Sequence, residues 1–249
     1  MTVQIQGVPL NKILTFPFQD SQSRKRLLAL FGLSLAGMFI PILPGFFVAG
    51  YSIQILRQAV REGTVVMPEW KDLNRLLVDG LSAAVIGLAY LLPGIIILFC
   101  GLIIYFVSFM AIIPQSQQAE SFPPITIILP MIVLFTAIGL GSLLLIAGAI
   151  PLPAALARFA DEGKIGAAFQ IREIGRALKA NPIGYLGAWI VFLGIYTFAS
   201  YLYSIMYMTM VCCCIGILFL LIGAGTGAII FMAMVGLAYR QGKAEASTA

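Results

Sequence analysis

The feature that most constrains this sequence is its longest stretch without charge, because no Asp, Glu, Lys or Arg occurs from Ile183 to Tyr239. One membrane crossing takes about 20 apolar residues, so a stretch of this length predicts two crossings. Three further apolar runs precede it, at Leu27–Leu56, Leu81–Ile113 and Ile125–Leu156. With 61% hydrophobic and only 10% charged residues, a water-soluble fold could not cover so much apolar surface. The sequence therefore predicts an all-α, polytopic transmembrane helical bundle.

The first apolar run is interrupted at residues 41–45 by Pro-Ile-Leu-Pro-Gly, and it has two interpretations. It is either one long tilted helix or a hairpin of two short ones, each at the lower limit of length for a span. Lys and Arg concentrate on the cytoplasmic side, and the hairpin places all fifteen of them on one side. Charge therefore favours the hairpin, with about six spans and both termini cytoplasmic. The predicted spans are 27–43, 45–60, 81–113, 125–157, 183–202 and 210–239.

Residues 1–249 are interpreted as a single integral membrane domain, with a polar N-terminal segment at 1–26 and a short polar tail at 241–249. An internal repeat occurs at a shift of about 101 residues. Lys71–Arg75 matches Arg172–Arg176 in charge and apolar order, and Arg57 falls on Arg158. The repeat-like halves are 45–103 and 146–204. Both copies enter and leave the membrane on the same sides, so they are expected to be parallel, related by an axis along the membrane normal.

Each half is predicted to contain a cytoplasmic amphipathic helix, and the first is expected near residues 68–81. Four apolar side chains from Trp70 to Leu81 share one face of it. Asp79 is expected to pair with Arg75, one helical turn away. The other face thus carries a candidate interfacial ion-pair cluster of Asp72, Arg75 and Asp79.

The second amphipathic helix carries a cationic stripe, because Arg172, Arg176 and Lys179 recur at i, i+4 and i+7. These residues are candidate contacts for anionic lipid head groups. The alternative is that they only enforce topology. Asn181 and Pro182 then predict the N-cap and first residue of the next span.

Helix breaks are predicted at Pro44, Gly45, Pro93 and Gly94. Broken helices can build binding sites at the membrane midplane, but Pro and Gly can also merely kink packed spans, and the second interpretation is favoured. In the last span, Gly223 and Gly227 have a spacing that permits close helix contact. Internal packing is preferred over self-association for this pair.

Several local patterns together resemble one family. They are Gly50–Arg57, Arg61–Gly63, Met67–Trp70, Leu76–Gly80 and Tyr90–Pro93. This order resembles the prokaryotic membrane family of domain of unknown function 4013, most strongly over residues 16–100. The resemblance implies a multi-pass protein of the prokaryotic cell membrane, and it transfers no catalytic residues.

Enzymatic function is not expected. The stretches 81–119, 121–157 and 180–239 contain no acidic or basic residue, and the chain has no histidine, so positioned acids and bases and the commonest metal ligand are missing from the spans. No cofactor or metal is predicted. The net charge of +5 is assigned to topology rather than nucleic acid, since no extramembrane stretch is long enough for a binding domain.

The predicted function is a non-enzymatic membrane scaffold or a subunit of a larger membrane assembly. The alternative is a small carrier for a neutral or amphiphilic, lipid-like solute. The expected partners are membrane lipids with anionic head groups and other membrane proteins, or further copies of this chain. A continuous polar cavity that reaches the midplane would favour the carrier.

Overall fold

The computed structural model describes residues 4–5, 8–40, 43–116, 125–208 and 213–248. Regular structure in these ranges is helical apart from a short antiparallel pairing of Gln4–Ile5 (β1) with Val8–Pro9 (β2). The helices are α1 Leu10–Thr15, α2 Ser21–Phe39, α3 Leu43–Arg61, α4 Leu73–Ser116, α5 Ile125–Ala149, α6 Leu152–Glu162, a 3₁₀ turn at Ile165–Phe169, α7 Ile171–Ala180, α8 Pro182–Met208 and α9 Cys213–Thr248. The residues predicted as a polar C-terminal tail continue α9 up to Thr248.

Four helical stretches among the described residues are long and apolar enough to cross a membrane. They are Leu73–Ala111, Ile128–Glu162, Pro182–Met208 and Leu220–Glu245. The prediction of an all-helical protein with several membrane helices is therefore confirmed. Neither α2 nor α3 belongs to this set, so the count of six spans stays a prediction.

The first apolar run forms two helices, because α2 ends at Phe39 and α3 begins at Leu43. The two helices pack against each other. Pro44 and Gly45 lie in the first turn of α3, where a proline is tolerated because its missing N–H would have no helical partner. Residues 41 and 42, part of the predicted break, fall outside the described ranges.

The helices divide into two compact units, and the first comprises residues 1–86 and 153–249. Its core lies around α3, α6 and the second half of α9, where Tyr51, Leu56 and Met234 are fully buried. Seven of the eleven residues of α6 are buried as well. Gly236 brings α9 close to α3, since a Cβ there would lie 2.5 Å from the Cβ of Ala59. Large side chains and close backbone approach together hold this unit.

The contact of α8 with α9 also belongs to this first unit. A Cβ on Gly223 would lie 2.3 Å from the Cβ of Ala199, and one on Gly227 would lie 3.2 Å from a methyl of Ile195. Both glycines of the predicted pair therefore pack against α8 of the same chain. Trp189 adds an aromatic contact, with its ring 5.0 Å from that of Phe231.

The second unit, Gly87–Leu152, consists of the later part of α4 together with α5. The two helices run antiparallel, since Gly101 faces Ala137 whereas Gly148 faces Tyr90. A Cβ on Gly101 would lie only 2.0 Å from the Cβ of Ala137. The helices thus approach through glycines, and many of their large apolar side chains point outwards and are exposed.

The helix break predicted at Pro93 and Gly94 is wrong, because α4 runs through both residues without interruption. A membrane helix tolerates the loss of the single backbone hydrogen bond that a proline removes. Gly94 has a packing role instead: a Cβ at this position would lie 2.8 Å from the carbonyl oxygen of Gly141 on α5.

The first predicted amphipathic helix is not a separate element. Helix α4 begins at Leu73 and continues directly into a membrane-length helix, and Trp70 lies before it. In the second half, α7 is separate from α8. The predicted cap of α8 is confirmed, because α8 begins at Pro182 and the Gly184 amide donates a 3.0 Å hydrogen bond to the side-chain oxygen of Asn181.

The predicted internal repeat has one parallel in the structure. A glycine with a left-handed backbone follows each helix: Gly63, at φ 69°, lies two residues after the end of α3, and Gly163, at φ 74°, directly after the end of α6. Glycine adopts this conformation at little cost and often terminates helices. Superposition of the two halves stays a prediction.

Candidate functional site

Two glycines let α3 and α4 cross so closely that their backbones are in contact. A Cβ on Gly50 would lie 1.9 Å from the carbonyl oxygen of Leu76, and a Cβ on Gly80 would lie 1.8 Å from that of Phe46. Any side chain at either position would therefore collide with the neighbouring backbone. We call the residues that join these two helices the α3–α4 clamp: Gly50, Tyr51, Arg57, Trp70, Asp79 and Gly80.

A bidentate ion pair lies beside this crossing. Arg57 Nη1 donates to Asp79 Oδ2 at 2.7 Å, and Nη2 donates to Oδ1 at 2.9 Å. The two side chains are only 13% and 10% exposed. Arg57 Nε also donates to the carbonyl oxygen of Ala160 at 3.4 Å. One guanidinium thus links α3 to α4 and α6, in the parallel two-bond geometry that suits Arg and carboxylate.

The predicted pairing of Asp79 with Arg75 is wrong, since Asp79 pairs with Arg57. The cause is the close approach of α3, which brings a guanidinium to the carboxylate from a neighbouring helix. Arg75 and Asp72 are both exposed, and no ion pair involves either of them in the described part of the chain. Of the predicted cluster, only Asp79 has the expected kind of partner.

An aromatic stack fastens the segment before α4 to α3. The rings of Tyr51 and Trp70 lie 4.4 Å apart and are nearly parallel, at 11°. Tyr51 Oη donates to the carbonyl oxygen of Pro68 at 2.9 Å, and Met67 is buried beside it. The stack holds the segment that carries the Pro-Glu-Trp pattern.

Arg26, in the second turn of α2, reaches the same segment. It donates to the carbonyl oxygen of Met67 at 2.5 Å and to Glu69 at 3.1 Å. Lys71 also pairs with Glu69. The hydrogen bond and charge of Lys71, together with Arg26, hold the pKa of the exposed Glu69 carboxyl below its usual value. The N-terminal end of α2 therefore lies beside the segment that follows α3.

The ends of α3, α6 and α9 also meet. Arg61 Nη2 donates to the carbonyl oxygen of Asp161 at 2.6 Å, and Lys243 Nζ pairs with the carboxylate of the same residue at 2.6 Å. Gly63 leaves room for Arg240, whose guanidinium would lie 1.9 Å from a Cβ at that position. Basic residues from separate parts of the sequence thus gather at one end of the first unit.

A polar cleft of about 320 Å³ opens among α6, α7 and α9. We call it the α6–α7–α9 cleft. Three basic and three acidic side chains line it: Arg158, Asp161, Glu162, Glu173, Arg176 and Lys243. Four of them form a connected network, because Arg158 donates to Glu162 at 2.5 Å and lies 3.5 Å from Glu173, which also pairs with Arg176 at 2.7 Å. Lys243 and Asp161 form a separate pair at 2.6 Å. No pattern in the sequence indicated this cleft.

Arg158 is the central residue of the network. It also donates to the side-chain oxygen of Gln170 at 2.7 Å, but its Nε is buried and has no hydrogen-bond partner among the described residues. The match of Arg158 with Arg57 in the internal repeat was the only sequence signal that singled it out.

The three residues of the predicted cationic stripe do not all line the same site. Arg172, Arg176 and Lys179 are all exposed, but only Arg176 lines the α6–α7–α9 cleft. On the apolar side Ile174 is buried, whereas Ile171 is exposed. Contact of the stripe with anionic lipid stays a prediction.

Pro44 and Gly45 line a groove formed by α2, α3 and α9, with a volume of about 360 Å³. Ser34 and Leu221 are among the other residues of its wall, which is mainly apolar. The predicted break thus lies at a surface groove of the first unit. Pro93 and Gly94 belong to the second unit.

The clamp and the four membrane-length helices define the class: an all-helical membrane protein whose described ion pairs gather near helix ends. The family described as "Protein of unknown function (DUF4013)" matches residues 33–208, and the chain belongs to this family. The resemblance inferred from sequence patterns is therefore confirmed. No curated protein and no solved structure matches the chain significantly. The matched region contains the whole α3–α4 clamp.

Proposed function

We propose that this protein is a non-enzymatic scaffold of the prokaryotic cell membrane, or a subunit of a larger membrane assembly. The α3–α4 clamp carries the proposal. Its charged groups bind one another and hold three helices together, with both oxygens of Asp79 engaged by Arg57. A catalytic group needs a reactive atom free to meet a substrate, so groups engaged in this way favour a structural role.

The outer surface of the second unit supports a role in assembly. Its helices contact each other through Gly94, Gly101, Gly141 and Gly148, which leaves the bulky side chains on the outside. Phe99 is 61% exposed and Phe135 64%. Apolar surface of this kind in a membrane contacts lipid or the helices of another protein.

A crosslinking experiment tests the scaffold. A photo-reactive amino acid would replace Phe99 or Phe135, and the matched control would replace Leu186 on α8, which is 61% exposed in the first unit. Irradiation of native membranes should give discrete protein adducts from the first two positions and none from the control. Adducts with lipid alone, or equal protein adducts at all three positions, would contradict the proposal.

We assign both termini and all fifteen Lys and Arg to the cytoplasm, with α2 and α3 crossing as a hairpin. The contacts of Arg26 with the segment after α3, and of Arg61 and Lys243 with the end of α6, support this topology. Single cysteines at positions 2 and 248, after replacement of the four native cysteines, test it. Labelling of position 2 from outside intact cells would leave five spans.

The alternative function is a carrier for a neutral or amphiphilic solute. The α6–α7–α9 cleft is the observation in its favour, because it offers polar groups at the ends of membrane-length helices. Transbilayer movement of fluorescent phospholipid in proteoliposomes would test it. Movement well above that of protein-free vesicles would replace the scaffold with the carrier, and background rates would remove the carrier.

A further inference from the structure

The balance of charge in the α6–α7–α9 cleft indicates what it can bind. Its three basic side chains are matched by three acidic ones, and all six line a cleft with a volume of about 320 Å³. A purely anionic ligand would be repelled by the carboxylates, and a purely cationic ligand by the guanidinium and ammonium groups. A small zwitterion offers a partner to both sets.

Arg158 supplies a donor for the negative end of such a ligand. Its side chain is only 12% exposed, and its buried Nε lacks a hydrogen-bond acceptor in the described part of the chain. A buried donor without a partner costs free energy. A phosphate oxygen would satisfy it, and the guanidinium fork is well suited to phosphate.

The carboxylates of Asp161, Glu162 and Glu173 supply acceptors for the positive end. A primary ammonium group carries three N–H donors that carboxylates accept, whereas a quaternary ammonium carries none. Two membrane-length stretches, Ile128–Glu162 and Leu220–Glu245, end at this cleft. A head group at the membrane surface therefore reaches it more directly than a solute from bulk water does.

We propose that the α6–α7–α9 cleft binds the phosphoethanolamine head group of a phospholipid. The phosphate contacts Arg158, and the ammonium contacts Glu173 and its neighbouring carboxylates. This site goes beyond a scaffold role, since it selects the lipid beside the first unit and not a protein partner.

Native mass spectrometry of the full chain with defined lipids tests the proposal. Phosphatidylethanolamine should be retained in preference to phosphatidylcholine, which has the same phosphate but no N–H donor, and to the anionic phosphatidylglycerol. Glu173→Gln should reduce the preference for ethanolamine over choline by about tenfold, because one charge-assisted hydrogen bond is lost. The matched control is Asp72→Asn, which removes an exposed carboxylate that pairs with no described residue and should leave the preference unchanged.

Arg158→Lys provides a second variant, which keeps the charge but removes Nε. It should weaken retention of ethanolamine and choline lipids together, because both contain the phosphate. Elution as a single species in size-exclusion chromatography would verify that each variant is folded. Free O-phosphoethanolamine, added as a competitor, distinguishes a lipid head group from a soluble ligand. Displacement of lipid at millimolar concentration would show that the soluble molecule is enough to occupy the cleft.

Three results would overturn the proposal. Equal retention of ethanolamine and choline lipids would remove the role of the carboxylates. Preferential retention of phosphatidylglycerol would make the site an anionic one. An unchanged preference in folded Glu173→Gln would leave the network as a structural contact only. None of these results bears on the crosslinking test of the scaffold, which probes the second unit.

Discussion

The two units achieve close helix contact by different means. The first unit combines glycine crossings with one largely buried ion pair, an aromatic stack and a core of large side chains such as Leu56 and Met234. The second unit has no charged side chain among its described residues, and its helices come closest at glycines. In the first unit, polar contacts can specify which helices are neighbours. In the second, shape and backbone proximity contribute more, because its described residues include no charged side chain.

The largest expected effect is the loss of the buried ion pair. Asp79→Ala leaves the Arg57 guanidinium buried without its carboxylate, and we expect roughly 3–5 kcal/mol of destabilisation. Thermal unfolding in detergent, followed by tryptophan fluorescence, measures it. Asp72→Asn is the matched control, since Asp72 is exposed, pairs with no described charged residue, and stands before α4 where Asn caps as well as Asp; its stability should change little.

The double variant Arg57→Met/Asp79→Ala sharpens this prediction. Because no charge is then left buried, the double variant should be more stable than Asp79→Ala alone. Additive losses would mean that the pair does not act as a unit, and the distinction between a polar first unit and an apolar second unit would weaken.

The glycine contact of the second unit should give the next largest effect. In Gly101→Ala, the new methyl group meets Ala137, and overpacking of this kind costs about 1–3 kcal/mol. Gly139→Ala on α5 is the control, since nothing lies within 4 Å of a Cβ there, and the better helix propensity of Ala should make it neutral or stabilising. Protease resistance and thermal unfolding measure both variants.

A compensating change tests whether the steric contact is the cause. Adding Ala137→Gly to Gly101→Ala should restore stability, because the methyl group is moved from one helix to the other. A Gly101→Ala variant as stable as the wild type would show that the helices of the second unit can separate at little cost.

The hydrogen bond of the aromatic stack should have a smaller effect. Tyr51→Phe keeps the ring contact with Trp70 but removes the donor to the Pro68 carbonyl, and a typical hydrogen bond contributes about 1 kcal/mol. Tyr201→Phe on α8 is the control, since Tyr201 is exposed. A loss equal in both variants would show that the segment before α4 is not held by this bond.

The cationic stripe should have the smallest effect. Each basic residue near an anionic leaflet contributes about 1 kcal/mol, less at high salt, and Arg176 already pairs with Glu173. Arg172→Gln/Arg176→Gln should weaken retention of phosphatidylglycerol two- to tenfold, roughly as these magnitudes predict. Lys71→Gln/Arg75→Gln, at the matching positions of the first half, is the comparison. Equal retention before and after the change in the second half would leave its basic residues a topological role only.

The positions of the helices could largely be predicted from the sequence. The charge-free runs, the interruption near Pro44 and the cap formed by Asn181 all depend on neighbouring residues in the chain, and each has a counterpart in the structure. The clamp was only partly predictable. Family-like patterns contain Tyr51, Arg57, Trp70 and Asp79, but a pattern does not show that its residues meet. The predicted break at Pro93 is wrong because proline interrupts helices in water more readily than it interrupts membrane helices, which tolerate the lost hydrogen bond.

By itself, the sequence determined that the chain is helical and built for a membrane, because apolar length and the scarcity of charge decide that regardless of packing. Only the tertiary structure decided the partners of the charges. Asp79 has Arg75 one turn away on its own helix, yet it binds Arg57, because Gly50 and Gly80 bring α3 within backbone contact of α4. Arg158 of α6 reaches Glu173 of α7 because these two helices meet at the α6–α7–α9 cleft. Contacts of this kind join residues far apart in the chain, so sequence spacing does not encode them.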